Sequence, residues 1–221
     1  MTGKLETIWA SYKIPVKFVN CRFNNYHPRQ KEQHEALKRC REYIEAESVV
    51  DSKGLFLHGP VGTGKTHLAV ATVHAVVEKH LPHFGYKSGS SEYLLPDEIN
   101  QYRGRVVGFI NVTDLLTTLQ ESYSGNERAQ VKAEDMLHRA KMDYLLILDD
   151  LGAMKPSEWV ETQLYNIIDI RYRMQRPMLI TSNCKIKEIE QQVGKRIVSR
   201  LFEVTDGIYV PGDDYRKRKL D

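Results

Sequence analysis

Of the 221 residues only three are cysteines, Cys21, Cys40 and Cys184. Their odd number and wide spacing exclude a disulfide framework and the paired spacing of a zinc module, and leave structural roles for the thiols. Long hydrophobic runs are lacking too. Nothing approaches the ~20 residues of a membrane span, and the N-terminus carries no apolar signal-peptide core, so a cytoplasmic protein without membrane contact is expected. Charge of one sign is scarce. The formal balance of +3 is too small to demand a nucleic-acid partner, although Arg216-Lys217-Arg218-Lys219 concentrates positive charge near the end, as a solvated tail also would. His74, His80 and His83 match no metal-ligand spacing. Internal repeats and low-complexity blocks are absent, and a 41% hydrophobic content over this length suffices for one main domain with a sizeable core.

What is present begins with Gly59-Pro60-Val61-Gly62-Thr63-Gly64-Lys65-Thr66, a full match to the phosphate-binding loop of Gly, four residues, Gly-Lys-Ser/Thr. Gly54 to His58 reads as a short buried strand before it, and Lys65 to Lys79 carries apolar residues at helical spacing behind it. The glycines let the backbone curl so that its N–H groups face the β-phosphate, and the helix N-terminus adds positive potential. Lys65 is placed to reach the β- and γ-phosphates and Thr66 to ligate Mg²⁺, with His67 next in the cradle. This predicts a nucleoside triphosphate site.

Ahead of the loop, Met1 to Asn25 reads as a linker with a few apolar anchors, and Arg29 to about Glu47 as an amphipathic helix. Residues 1–48 are therefore taken as a linker and helix, and 49–221 as the nucleotide-binding core. After the loop helix, Leu81 to Arg105 is rich in turn-forming residues and reads as a long excursion. Val106 to Val112 reads as a strand, Thr113 as the cap of the next helix, and Glu127 to Ala140 as another helix bearing Arg128, Lys132 and Arg139, with Lys141 just past it. Tyr144 to Asp150 is a continuous apolar strand ending in two carboxylates. Opposite a phosphate loop, Asp149 would hold Mg²⁺ and Asp150 would orient or deprotonate the attacking water. Ser157 to Arg176 reads as a helix stopped by Pro177. Met178 to Asn183 is another buried strand, which brings Asn183 to the same sheet edge as Asp149. Ile208-Tyr209-Val210 is the last strand.

These strand ends, with Arg196-Ile197-Val198-Ser199-Arg200-Leu201 and Asp214-Tyr215-Arg216, resemble the DnaC/DnaI/IstB group of AAA+ ATPases over roughly Ile14 to Arg216. The resemblance implies an α/β fold, a five-stranded parallel sheet of order 5-1-4-3-2 between helices, with an abbreviated or absent C-terminal lid. It implies that Asn183 polarises the attacking water beside the γ-phosphate (sensor 1). Arg200, or alternatively Arg196, would be the arginine finger reaching a neighbouring subunit, and Arg216 the sensor 2 that contacts the γ-phosphate from within the chain. The implied cofactors are ATP and Mg²⁺. The implied partners are a replicative helicase or a transposase, single-stranded DNA held through Lys132, Arg139 and Lys141, and further copies of the chain in an ATP-dependent oligomer. An ATP-dependent helicase loader and a transposase helper are both consistent with these residues, and a nucleotide-gated adaptor with very slow turnover is a third reading, left open because Asp150 stands where Glu is commoner.

Overall fold

In the computed structural model, which describes residues 12–46, 51–80 and 106–219, a five-stranded parallel sheet stands between two layers of helices. The elements follow in chain order. Helix α1 (Lys31–Glu45) precedes β1 (Gly54–His58) and α2 (Lys65–His80); β2 (Val107–Asn111) then leads into α3 (Val112–Ser122) and α4 (Glu127–Met142). Next come β3 (Leu145–Asp149), α5 (Glu158–Arg173), β4 (Met178–Ser182), α6 (Ile186–Val193), α7 (Lys195–Val204) and β5 (Thr205–Tyr209). The strand order is β2-β3-β4-β1-β5, which read from the other edge is the expected 5-1-4-3-2. No helix among the described residues is long and apolar enough to cross a membrane. The excursion at 81–105 lies outside the described residues.

The strands form where they do because a sheet covered on both faces needs continuous apolar runs. All five residues of β3 and of β4 are buried. Successive side chains point to opposite faces, so Leu55, Leu57, Leu145, Ile147 and Leu179 enter one core with α1, α2 and the segment from Tyr12 to Tyr26. Phe56, Leu146, Leu148, Met178 and Ile180 enter the other with α3 to α7. Each such aliphatic side chain contributes about 1.5–3 kcal/mol on burial, which anchors the strands whose carboxyl ends carry the site. Burial also pushes the thiols of Cys21 and Cys40 up, to about 11 and about 12. Both sit inside the first core as small apolar groups.

At the opposite, N-terminal ends of β3 and β4, buried arginines tie the sheet together. Fully buried Arg171 donates to the carbonyls of Ala140, Asp143, Tyr144 and Pro177, satisfying peptide oxygens at the end of α4 and around the starts of both strands. Arg176 donates to the carbonyl of Met142. This explains a correction: α5 stops at Arg173, not Arg176, because Gln175 turns left-handed (φ +51°) and sends Arg176 across to α4. A second correction concerns the cap of α3, which is Asn111 and not Thr113; the Asn111 side chain accepts from the N–H of Asp114. The last strand also begins earlier than expected, at Thr205, directly after α7 ends at Val204.

Arg139, expected on a DNA-facing surface, is only 3% exposed. It donates to the Tyr12 carbonyl and lies 3.6 Å from the Asp143 carboxylate, itself buried. It helps hold the N-terminal segment against α4 and presents no charge to a ligand. Lys132 is exposed along the same helix, and Lys141 is half-buried within its last turn and not beyond it.

Candidate nucleotide-binding site

At the carboxyl ends of the strands, the usual ligand position in an open α/β sheet, several segments surround a cavity of ≈ 440 Å³. They are the loop before α2, the ends of β3 and β4, the segment before α1, and the turn after β5. Val61 through His67, Asp149, Asp150, Asn183 and Arg216 all line it. Gly59 and Pro60 build the loop without facing the space: the Gly59 N–H donates to Ser182, and the Pro60 carbonyl accepts from Thr63 Oγ1 at 3.0 Å and Lys65 Nζ at 2.6 Å. Two glycines are obligatory here. Gly62 (φ +77°) would drive a Cβ into the Asp214 carboxylate, and Gly64 (φ +93°) into the ring of Tyr26.

Lys65 is 5% exposed, and its burial outweighs the nearby carboxylates of Asp150 and Asp149 to pull its pKa down to about 8. A triphosphate beside it favours the charged form. Binding above pH 8 must therefore take up a proton, and the sign follows: nucleotide affinity is independent of this group below pH 8 and falls as pH rises above it, by up to about tenfold per unit. Fluorescent-nucleotide titrations from pH 7 to 9.5 should show that limb. Lys65→Arg, which stays charged, should flatten it; an equally steep fall in that variant would assign the limb to another group.

Across the cradle, Asp149 Oδ1 accepts from two hydroxyls, Thr66 Oγ1 at 2.8 Å and Thr181 Oγ1 at 2.7 Å. Burial raises the Asp149 pKa, and these two donors oppose that rise. Asp150 follows in the left-handed region (φ +58°), a conformation that Asp accepts more readily than longer side chains. Its N–H donates to Thr181 Oγ1 at 3.0 Å, while its Oδ1 accepts from Asn183 Nδ2 at 2.7 Å. Both acids and the asparagine are thus connected before any ligand is considered. A hydroxyl and a carboxylate facing a phosphate loop form the hard-oxygen donor set that suits Mg²⁺. Thr66 and Asp149 are the residues that would hold it, and the ion would supply neutralisation of developing phosphate charge.

Arg216 lies at the cavity, but its guanidinium faces Asp214 at 2.9 Å and 3.1 Å. That pairing holds the Asp214 carboxyl below the usual carboxylate range. The turn is docked on the loop by the Tyr215 N–H, which donates to Gly62. Arg200 does not line the cavity. It pairs with Asp169 at 2.9 Å and lies over the rings of Tyr165 and Tyr172 on α5. Arg196, one turn earlier on α7, is exposed.

The stretch from Lys17 to Gln33 holds residues that sequence reasoning passed over. Tyr26 donates its hydroxyl to the Thr63 carbonyl at 3.2 Å and packs its ring against His67, whose Nε2 lies 2.9 Å from the Arg22 carbonyl. Burial lowers the His67 pKa, which favours the neutral ring. Lys17, Asn25, His27 and Gln33 complete this wall. Thr181 and Asn111 were also missed, and both are polar residues at strand ends on the ligand edge, which was the available signal.

A parallel sheet of this order, with the phosphate loop after β1, the acid pair after β3 and the asparagine after β4, defines an AAA+ P-loop fold. Residues 99–221 match the family of IstB-like ATP binding proteins, and the chain belongs to that family. It is 26% identical over 201 residues to the replicative helicase loader DnaC of Escherichia coli, covering 90% of this chain and 70% of that one. It is likewise 26% identical over 172 residues to a Mycobacterium tuberculosis protein of an insertion sequence, described as ATP-binding, covering 76% of this chain and 57% of that one. A crystal structure of the DnaC helicase loader superposes with a TM-score of 0.64 at 25% identity, over 88% of this chain and 99% of that one.

Proposed function

We propose that the protein binds ATP with Mg²⁺, hydrolyses it slowly, and uses the bound state to assemble on single-stranded DNA and deliver or remodel a replicative helicase. The observation that carries this reading is the convergence of Lys65, Thr66, Asp149, Asp150 and Asn183 on one cavity, in a chain akin to helicase loaders. In it, Lys65 contacts the β- and γ-phosphates, Thr66 and Asp149 hold the metal, Asp150 orients the attacking water, and Asn183 polarises it. Arg216 exchanges Asp214 for the γ-phosphate. Positioning and charge stabilisation dominate phosphoryl transfer, which is what such an arrangement provides. The wall around Tyr26 is the remaining face of the cavity and would receive the base.

DNA contact is assigned to α4 through Arg128, Lys132 and Lys141, with Arg139 removed by its burial. Binding of a fluorescent single strand with a non-hydrolysable ATP analogue should weaken with salt, by about 0.7 per neutralised phosphate on a log–log plot. Charge reversal at Arg128, Lys132 and Lys141 should reduce both affinity and slope; an unchanged slope would place the DNA elsewhere. A second reading is a transposase helper that assembles on duplex DNA, favoured by the likeness to an ATP-binding protein of an insertion sequence. Preference for the duplex in the same assay selects that reading.

A further inference from the structure

We infer that Thr181 is a positioning residue of the hydrolytic site, whose single hydroxyl fixes the metal-binding carboxylate of Asp149 and the backbone of Asp150 relative to each other. The inference rests on the ATPase reading above and deepens it. Thr181 is the fourth residue of β4, fully buried, and follows the apolar run Met178-Leu179-Ile180. Strand propensity and burial alone are served as well or better by valine, which has the same branched shape. A hydroxyl at this depth is costly unless its hydrogen-bonding capacity is used. Here it is used entirely on the site: the proton goes to Asp149 Oδ1, and a lone pair receives the Asp150 N–H.

The neighbouring bonds show why one atom can govern both acids. The Leu151 N–H donates to the Thr181 carbonyl at 2.8 Å, and Ser182 Oγ donates to the Leu151 carbonyl at 2.6 Å. Asn183 Nδ2 reaches the Asp150 side chain. The turn after β3 is therefore laced to the end of β4 residue by residue, and it needs to be, because Asp150 occupies the left-handed region there. Among these ties the Thr181 hydroxyl alone touches both the carboxylate that faces Thr66 and the peptide that sets the direction of the Asp150 side chain. Thr66 and Thr181 both donate to Asp149 Oδ1, and the Asn111 side chain hydrogen-bonds the same carboxylate, so its orientation is set by three neighbours before a metal would bind. Losing the Thr181 donor lets the carboxylate rotate and divides its oxygens differently. Losing the acceptor frees the Asp150 peptide, so the water-orienting group moves as well.

The test compares Thr181→Val and Thr181→Ser in the full chain. Nucleotide affinity is measured with fluorescent ATP across a Mg²⁺ titration and in EDTA, and turnover by phosphate release. Thr181→Val is expected to need about tenfold more Mg²⁺ for half-maximal tightening of nucleotide binding and to lose about tenfold in kcat, with EDTA affinity unchanged. Thr181→Ser, which keeps the hydroxyl, should remain within about twofold of wild type in both. A wild-type Mg²⁺ requirement and kcat in Thr181→Val would overturn the inference, as would equal impairment in Thr181→Ser, which would indicate packing. Should Thr181→Val fail to fold, Thr181→Ala replaces it with the same expectations, and thermal melts verify the folded state. Wild-type protein whose nucleotide binding ignores Mg²⁺ would overturn the ATPase reading and this inference together. A Mg²⁺-dependent wild type with an unaffected Thr181→Val overturns the inference alone.

Discussion

Asp150→Asn is expected to bind ATP as wild type does and to turn it over about two orders of magnitude more slowly, the usual cost of losing a group that orients or deprotonates water. The substitution is conservative in structure. Asparagine keeps an oxygen for the bond from Asn183, and it tolerates the left-handed backbone that Asp150 adopts at φ +58°. What it loses is the negative charge and the basicity beside the phosphate cavity. A folded, ATP-binding variant with wild-type phosphate release would take Asp150 out of the mechanism. The same backbone strain accounts for the choice of Asp where Glu is commoner: a left-handed residue after β3 favours a short polar side chain over a long one. In the proposed ATPase, the shorter side chain would hold the attacking water farther from the γ-phosphate than Glu would, and slow turnover would follow.

The fold and half of the site were legible because their determinants are local. Strands buried on both faces must be continuous apolar runs, so Leu145–Asp149 and Met178–Ser182 could be read directly. The phosphate loop is a contiguous pattern. The unread parts depend on distant partners. Tyr26 reaches the loop across 37 residues of sequence, and its neighbours carry no periodicity that points there. The hydroxyl of Thr181 meets partners at the end of β3 and in the turn after it, 32 and 31 residues back. Arg139 was misread for the same reason. At helical spacing it resembles a solvated charge, yet its burial is decided by the Tyr12 carbonyl 127 residues away and by Asp143. The end of α5 was overrun because Gln175, a residue that does not ordinarily mark a left-handed stop, supplies one before Pro177.

Arg200→Ala is expected to bind ATP normally and to be nearly inactive, because an arginine supplied by a neighbouring subunit contributes on the order of 10³-fold in turnover. Within one chain Arg200 is committed elsewhere, paired with Asp169 and lying 4.7 Å and 5.6 Å from the ring centroids of Tyr165 and Tyr172. Reaching a neighbour requires giving up that pair. The exchange is favourable on magnitudes: the ion pair, its side chains 27% and 17% exposed, and the two ring contacts are together worth roughly 1–3 kcal/mol, whereas ~10³-fold in rate corresponds to about 4 kcal/mol of transition-state stabilisation. Specific activity of the wild type should therefore rise with protein concentration, or with DNA that templates assembly. Mixing Arg200→Ala with Lys65→Ala gives the sharper result. The first retains the nucleotide site and the second retains the arginine, so partial activity should return in the mixture although neither variant hydrolyses ATP alone. Arg196, exposed one turn earlier on α7, is the competing candidate. If Arg196→Ala complements Lys65→Ala while Arg200→Ala remains active by itself, the finger is Arg196 and the Asp169 pair is merely structural. Activity independent of concentration, with no recovery in either mixture, would reject a site shared between subunits and leave a nucleotide-gated adaptor or a P-loop enzyme acting as a monomer.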